Sequence, residues 1–256
     1  MDDRLQDELR DELLDSLRGL YATSEYLDCT ITCGDYELRV HKAVTSPRSS
    51  FFRAAFAHDM QERATGIVNL EDDDPEAVKS MVYYLYHLDY PSVPTLDRSE
   101  ESDSLDRTVQ DSSSRDTVFP SWEDPGARPA VGQPRQKKNQ EQPKLFHHCR
   151  VYALAEKYDI PSLKKLAYQK FKTESEKWWD HSDFVKAARK VYATTLPHDR
   201  GLRDIVVATI RHNPRLLDRE EVQSVLKESE LAFDVVMDSH KRSVENDYWE
   251  PQTLVE

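Results

Sequence analysis

Glycine is scarce in this chain, with six in 256 residues. A phosphate-binding loop needs several glycines close together so that backbone N–H groups can wrap an anion. Neither that pattern nor a Gly-x-Ser-x-Gly nucleophile elbow occurs. Cysteine is scarce too. Cys29, Cys33 and Cys149 are too few for a disulfide framework and point to reduced thiols, hence to the cytosol, the nucleus or both. No run approaches the ~18 apolar residues of a membrane span, and the opening MDDRLQDELR lacks the apolar stretch of a signal peptide. Basic residues are outnumbered 35 to 48, for a formal net charge of −13, and no Lys/Arg stripe is present. Neither direct nucleic-acid binding nor a membrane partner is therefore expected.

Hydrophobic content is 38%, against the roughly 45–50% usual for globular chains, and the shortfall is local. Residues 91–143 hold 10 hydrophobic residues, seven prolines and eight serines among 53. That is too little apolar surface to offset the cost of ordering the backbone, so the segment is expected to be disordered. Within it Ser99, Ser102 and Ser104 lie among Glu100, Glu101, Asp103 and Asp106. A plain solvated spacer is the favoured reading, and phosphorylation, which this acidic context suits, is the alternative.

The rest of the chain carries clear periods. Leu5, Leu9, Leu13 and Leu17 recur every four residues, and Leu14 and Leu20 widen the stripe, which predicts an amphipathic helix over residues 4–20. Its leucines need a surface, either the chain's own domain or a second chain. Cys29–Cys33 and Tyr36–Val40 flank a Gly34-Asp35 turn and predict a hairpin. After His41 two short helices are broken at Pro47, the second bearing Phe51, Phe52, Ala55 and Phe56, and residues 66–70 read as a strand. Asp74 as N-cap with Pro75 at the first helical position predicts a helix ending near Tyr90-Pro91. Beyond the insert, helices are expected over 145–158, 162–171, 182–194, 200–212 and 218–240, with no clear element after Arg242.

The order of motifs resembles a BTB/POZ domain. The resemblance is carried by Asp28-x-Thr30-Ile31 with its hairpin, His41-Lys42-Ala43-Val44 and the paired phenylalanines. It continues in Asp74-Pro75-Glu76-Ala77-Val78 leading to Tyr83-Tyr84-Leu85-Tyr86, and in Ala153-x-Ala155-x-Lys157-Tyr158-x-x-Pro161-x-Leu163-Lys164. It covers about 20–90 and 144–173. The acidic Asp-Pro-Glu opening and the helices beyond 174 resemble fungal members. The family often places Thr-Gly after the tyrosine where this chain has His87-Leu88. The fold so implied is α+β: a small, mostly three-stranded sheet flanked by helices. The expected organisation is an N-terminal helix (1–20), a first BTB/POZ part (21–90), the disordered insert (91–143), the final BTB/POZ helices (144–173) and an all-helical extension (174–256).

The function this implies is a non-enzymatic interaction module that forms a homodimer and recruits partners, with no cofactor. Leu5, Leu9, Leu13 and Leu17 would line the dimer interface, joined by Asp28 and Lys42, whose positions in the family lie near the dimer-facing groove. A structural pairing of Asp28 and Lys42 is the alternative. Met60-Gln61-Glu62 matches the apolar-x-Glu pattern that many BTB adaptors present to a cullin scaffold, which implies a ubiquitin-ligase adaptor holding an unknown client. Methionine would supply the adaptable apolar knob and glutamate a charge-assisted acceptor. A transcription-associated dimerising scaffold is the second reading. An enzyme of unrecognised class is a third, carried only because the helices beyond 174 have no independent reading. His147-His148-Cys149 invites a metal, but adjacent side chains on a helix point about 100° apart and no second ligand pair has zinc-like spacing.

Overall fold

The computed structural model describes residues 3–57, 61–91 and 142–247. Helix α1 (Asp3–Thr23) leads into strands β1 (Cys29–Cys33) and β2 (Tyr36–Val40). Next come α2 (Lys42–Thr45), a 3-10 turn (Ser46–Arg48), α3 (Ser50–Ala57), α4 (Gln61–Thr65), β3 (Ile67–Asn69) and α5 (Pro75–His87). After residue 142 the chain is helical: α6 (Leu145–Lys157), α7 (Pro161–Trp178), α8 (Ser182–Thr194), α9 (Arg200–His212), a 3-10 turn (Pro214–Asp218), α10 (Glu220–Glu228) and α11 (Leu231–Asp247). The α+β architecture, with three strands flanked by helices and a helical C-terminal part, is the one expected. No described helix is long and apolar enough to cross a membrane.

The hairpin forms in the register its turn dictates, from Cys29 opposite Val40 to Cys33 opposite Tyr36. Gly34 takes φ 55°, a left-handed conformation that a residue without Cβ adopts freely. β3 joins the other edge of β1 in parallel, giving the order β2-β1-β3. Alternation sends Cys29, Ile31 and Cys33 into the core, which they share with Val78, Met81, Val82 and Leu85 of α5.

Asp74 starts α5 as expected, its side chain accepting from the Ala77 N–H at 2.9 Å. The helix ends at His87, earlier than the periodicity suggested. Leu88 takes φ 58° and donates its N–H to the Tyr84 carbonyl, so a leucine closes the helix in a conformation that favours glycine.

The acidic run before α5 is not simply solvated, contrary to the usual fate of such runs. Asp73 accepts from the Tyr158 hydroxyl and the Lys157 ammonium, and Asp74 accepts from Arg150 at 2.5 Å. Together with Ser49, whose hydroxyl donates to the Tyr158 carbonyl at 2.6 Å, these contacts fasten α6 to the first part of the chain.

Three further differences concern where helices start and stop. α4 is a five-residue helix with no buried residue and so no apolar period to announce it. α7 continues unbroken to Trp178, past the expected division at 173/174. The helix expected over 218–240 is two helices. At Ser229 the chain is extended, the hydroxyl donating to the Val225 carbonyl and accepting from the Leu231 N–H, and α11 then runs through Arg242 to Asp247. The segment expected to be disordered, with Ser99, Ser102 and Ser104, lies outside the described residues apart from Pro91, Gln142 and Pro143.

Candidate functional site

The leucine stripe of α1 divides in two. Leu17 is partly buried against the chain's own core, together with Tyr21. The Tyr21 ring packs on Tyr86, His87 and Tyr83 with centroids 4.9, 5.2 and 5.9 Å away. Leu17 is therefore an anchor within the chain as well as a member of the stripe, less open than the three leucines before it. Leu5, Leu9 and Leu13 are 47%, 54% and 63% exposed. Tyr21 was the residue missed: it continues the spacing of four set by Leu13 and Leu17, one step past the expected helix end.

Behind this anchor a buried histidine ties the chain together. The Tyr86 hydroxyl accepts from the His41 N–H at 2.9 Å and lies 2.7 Å from its Nδ1, while His41 Nε2 lies 2.6 Å from the Glu25 carbonyl. A carbonyl only accepts, so Nε2 carries the proton. In that tautomer Nδ1 accepts from the Tyr86 hydroxyl, so every polar atom of the trio has a partner. Burial pushes the Tyr86 hydroxyl up to about 12, which keeps it a donor. The segment so held, Ser24-Glu25-Tyr26, has two residues at positive φ, 55° and 59°, and joins α1 to the sheet.

Asp28 and Lys42 come together through the backbone. The Asp28 carboxylate accepts from the Lys42 N–H at 2.7 Å at the start of α2, and the Lys42 ammonium sits 5.0 Å from the centre of the Phe56 ring. Asp28 is exposed and Lys42 half-buried, so a structural pairing does not take either off the surface. Met60 lies outside the described residues. Glu62 lies, half-buried, in the first turn of α4, just ahead of β3.

The groups with chemical potential are engaged in structure. His147 Nε2 lies 3.0 Å from the Ser80 hydroxyl, and His148 Nδ1 lies 2.9 Å from that of Tyr90. Burial pulls the two imidazoles down to about 4 and about 3, so both are neutral near pH 7. Burial likewise pushes the Cys29 and Cys149 thiols up to about 12. Cys29 and Cys33 donate to the Val40 and Asp73 carbonyls, and neither is a thiolate nucleophile. Among the described residues no group of three or more His, Cys, Asp or Glu is arranged to hold a metal ion.

A surface cleft of about 430 Å³ is lined by Tyr152, Ile160, Lys164 and Tyr168. Its charges neutralise one another: Lys164 pairs with Glu156 at 2.6 Å and Asp199 at 2.9 Å, and Asp199 also accepts from Tyr152. Burial opposes ionisation of Asp199, but those hydrogen bonds outweigh it and hold its pKa below the ordinary range.

The second uncovered apolar face lies on α11. Phe233, Val236, Met237 and Val244 are 66%, 64%, 46% and 40% exposed. The opposite side of the helix is held by apolar and polar contacts together: Leu231 is buried in the core and Val235 packs against it, while Asp234 accepts from Arg200 and Tyr192, and Asp238 from Arg211. The spacing of three, one and seven residues was legible in the sequence. Which side of the helix faced outward was not, because Arg200 and Arg211 lie on α9.

A family model described as BTB/POZ domain matches residues 17–96. Mouse (Mus musculus) TD and POZ domain-containing protein 4 is 39% identical over 67 residues, 26% of this chain and 18% of that protein. TD and POZ domain-containing protein 5, also from mouse, is 38% identical over 74 residues, 29% of this chain and 22% of the relative. The matched stretch is about a fifth of the length of these curated relatives. They lend no support to the expected fungal likeness.

Proposed function

We infer that this chain, whose residues 17–96 are a BTB/POZ domain, works by joining proteins together, pairing with a second copy of itself and recruiting a further partner. A BTB/POZ domain implies a protein–protein interaction module. The homodimer, its interface and the recruited partner go a step beyond that implication. The observation that carries them is the uncovered half of α1: three leucines at one spacing, each about half exposed or more, on a helix anchored to the body by Leu17 and Tyr21. Covering them would contribute on the order of 2–4 kcal/mol per chain before ordering costs. Asp28, exposed, and Lys42, half-buried, are assigned to the same interface on the family resemblance.

Recruitment is assigned to the Met60–Glu62 segment, whose apolar-x-Glu pattern suits a cullin-type scaffold. In favour, the Glu62 side chain is surface-placed and in the first turn of a short helix. The C-terminal helices would hold the client. The chain has no chemistry of its own in this reading.

Two copies carrying different affinity tags, expressed together, test the pairing: capture of one should retain the other, and Leu9→Glu with Leu13→Glu should abolish that retention. The adaptor role is tested by capture of a cullin from lysate, which Met60→Asp with Glu62→Lys should eliminate. Failure of the unaltered protein to retain any cullin would end the adaptor reading while leaving self-association standing.

A further inference from the structure

The two uncovered apolar faces differ in electrical character. α1 carries six acids and three arginines, and Arg10 and Arg18 are already paired with Asp7 and Asp15. Two α1 helices laid against each other would bring like charge together on both sides of their leucines.

The face of α11 is the opposite case. Its acids nearest the apolar stripe, Asp234 and Asp238, have side chains only 11% and 27% exposed and are neutralised by Arg200 and Arg211. His240 and Lys241 remain on the exposed part of the helix, with Glu245 a turn further on. In a chain of net charge −13 this is a face from which the negative charge has been turned inward.

We propose that the Leu5-Leu9-Leu13 face of α1 docks on the Phe233-Val236-Met237-Val244 face of α11 in a second copy of this chain, and reciprocally, so that two such contacts close a two-fold dimer. This deepens the self-association proposed above and rests on it. Both faces are helical stripes: leucines four apart run over nine residues of α1, and the apolar positions of α11 run over twelve. Matching them covers both exposed patches with one contact and sets the acids of α1 beside Lys241. The inner side of α11 is held by Leu231, Val235 and the two ion pairs, which leaves Phe233, Val236, Met237 and Val244 for the partner.

Cross-linking between single cysteines tests the pairing, and the native thiols are buried and do not compete. Leu9→Cys and Phe233→Cys chains, mixed and treated with a short bis-maleimide, should give a covalent dimer that neither gives alone. Phe233→Glu with Met237→Glu should turn the dimer into a monomer by light scattering, and Lys241→Glu should weaken association several-fold. If Leu9→Cys chains link to each other and the mixture gives nothing more, the α11 assignment is wrong and self-association stands. A dimer untouched by the α11 substitutions would likewise overturn the α11 assignment alone. If the unaltered chain is a monomer, both the pairing and its interface fail together.

Discussion

Asp74 and Arg150 meet at 2.5 Å across a sequence separation of 76 residues. One carboxylate oxygen of Asp74 caps α5 at Ala77, and the other receives the guanidinium from α6, whose side chain is 13% exposed. The residue that starts the long central helix thus also binds the two parts of the body that the insert separates.

Replacing Asp74 with Ala should therefore cost more than a lost cap. Loss of an N-cap costs about 1 kcal/mol, and removing one member of a largely buried ion pair leaves the other charge without its partner at a further cost of about 1–3 kcal/mol. Chemical unfolding should show a loss of about 2–4 kcal/mol. The double variant Asp74→Ala, Arg150→Met should recover part of it. Equal losses in the single and double variants would mean that the pair contributes nothing.

Leu88 offers a gain. It is 40% exposed and sits at φ 58°, so its side chain stabilises little while its backbone is strained. Leu88→Gly should raise stability by about 0.5–1 kcal/mol, read as a higher unfolding midpoint at unchanged slope. A lower midpoint would show that the packing of Leu88 outweighs the strain.

His147 and His148 set a pH dependence. Burial holds their folded values near 4 and 3, below the 6.5 of an exposed imidazole. Arg150, Lys144 and Lys170 reinforce the shift, and Asp74 and Glu76 oppose it at His147. Between these values the unfolded chain binds more protons than the folded one, so stability is full above pH 6.5 and falls as the pH drops below it. Each histidine should remove about 1–2 kcal/mol between pH 6.5 and 5. Unfolding of the protein and of His147→Gln at several pH values measures the difference. Parallel curves would contradict the assignment.

Sequence signals carried the fold wherever the determinant is local. The Gly34-Asp35 turn, the Asp74-Pro75 helix start and the leucine spacing of α1 each state their structure within a few residues. What was hidden depends on partners far along the chain. Asp73 reads as part of a solvated acidic run until Lys157 and Tyr158 fold over it. α11 reads as part of a longer helix until Ser229 breaks it and Arg200 and Arg211 take its acids inward. The candidate site was half legible for the same reason. Leu5, Leu9 and Leu13 are open, while Leu17 at the same spacing is taken by the body.

The mass of the protein in solution decides between a pair and a single copy. Light scattering on the full chain across micromolar concentrations should give about twice the 29.8 kDa of one copy, and Leu9→Glu with Leu13→Glu should return it to 29.8 kDa with the helical signal intact. A mass of 29.8 kDa for the unaltered chain throughout that range would mean that the leucine face of α1 pairs with no second copy.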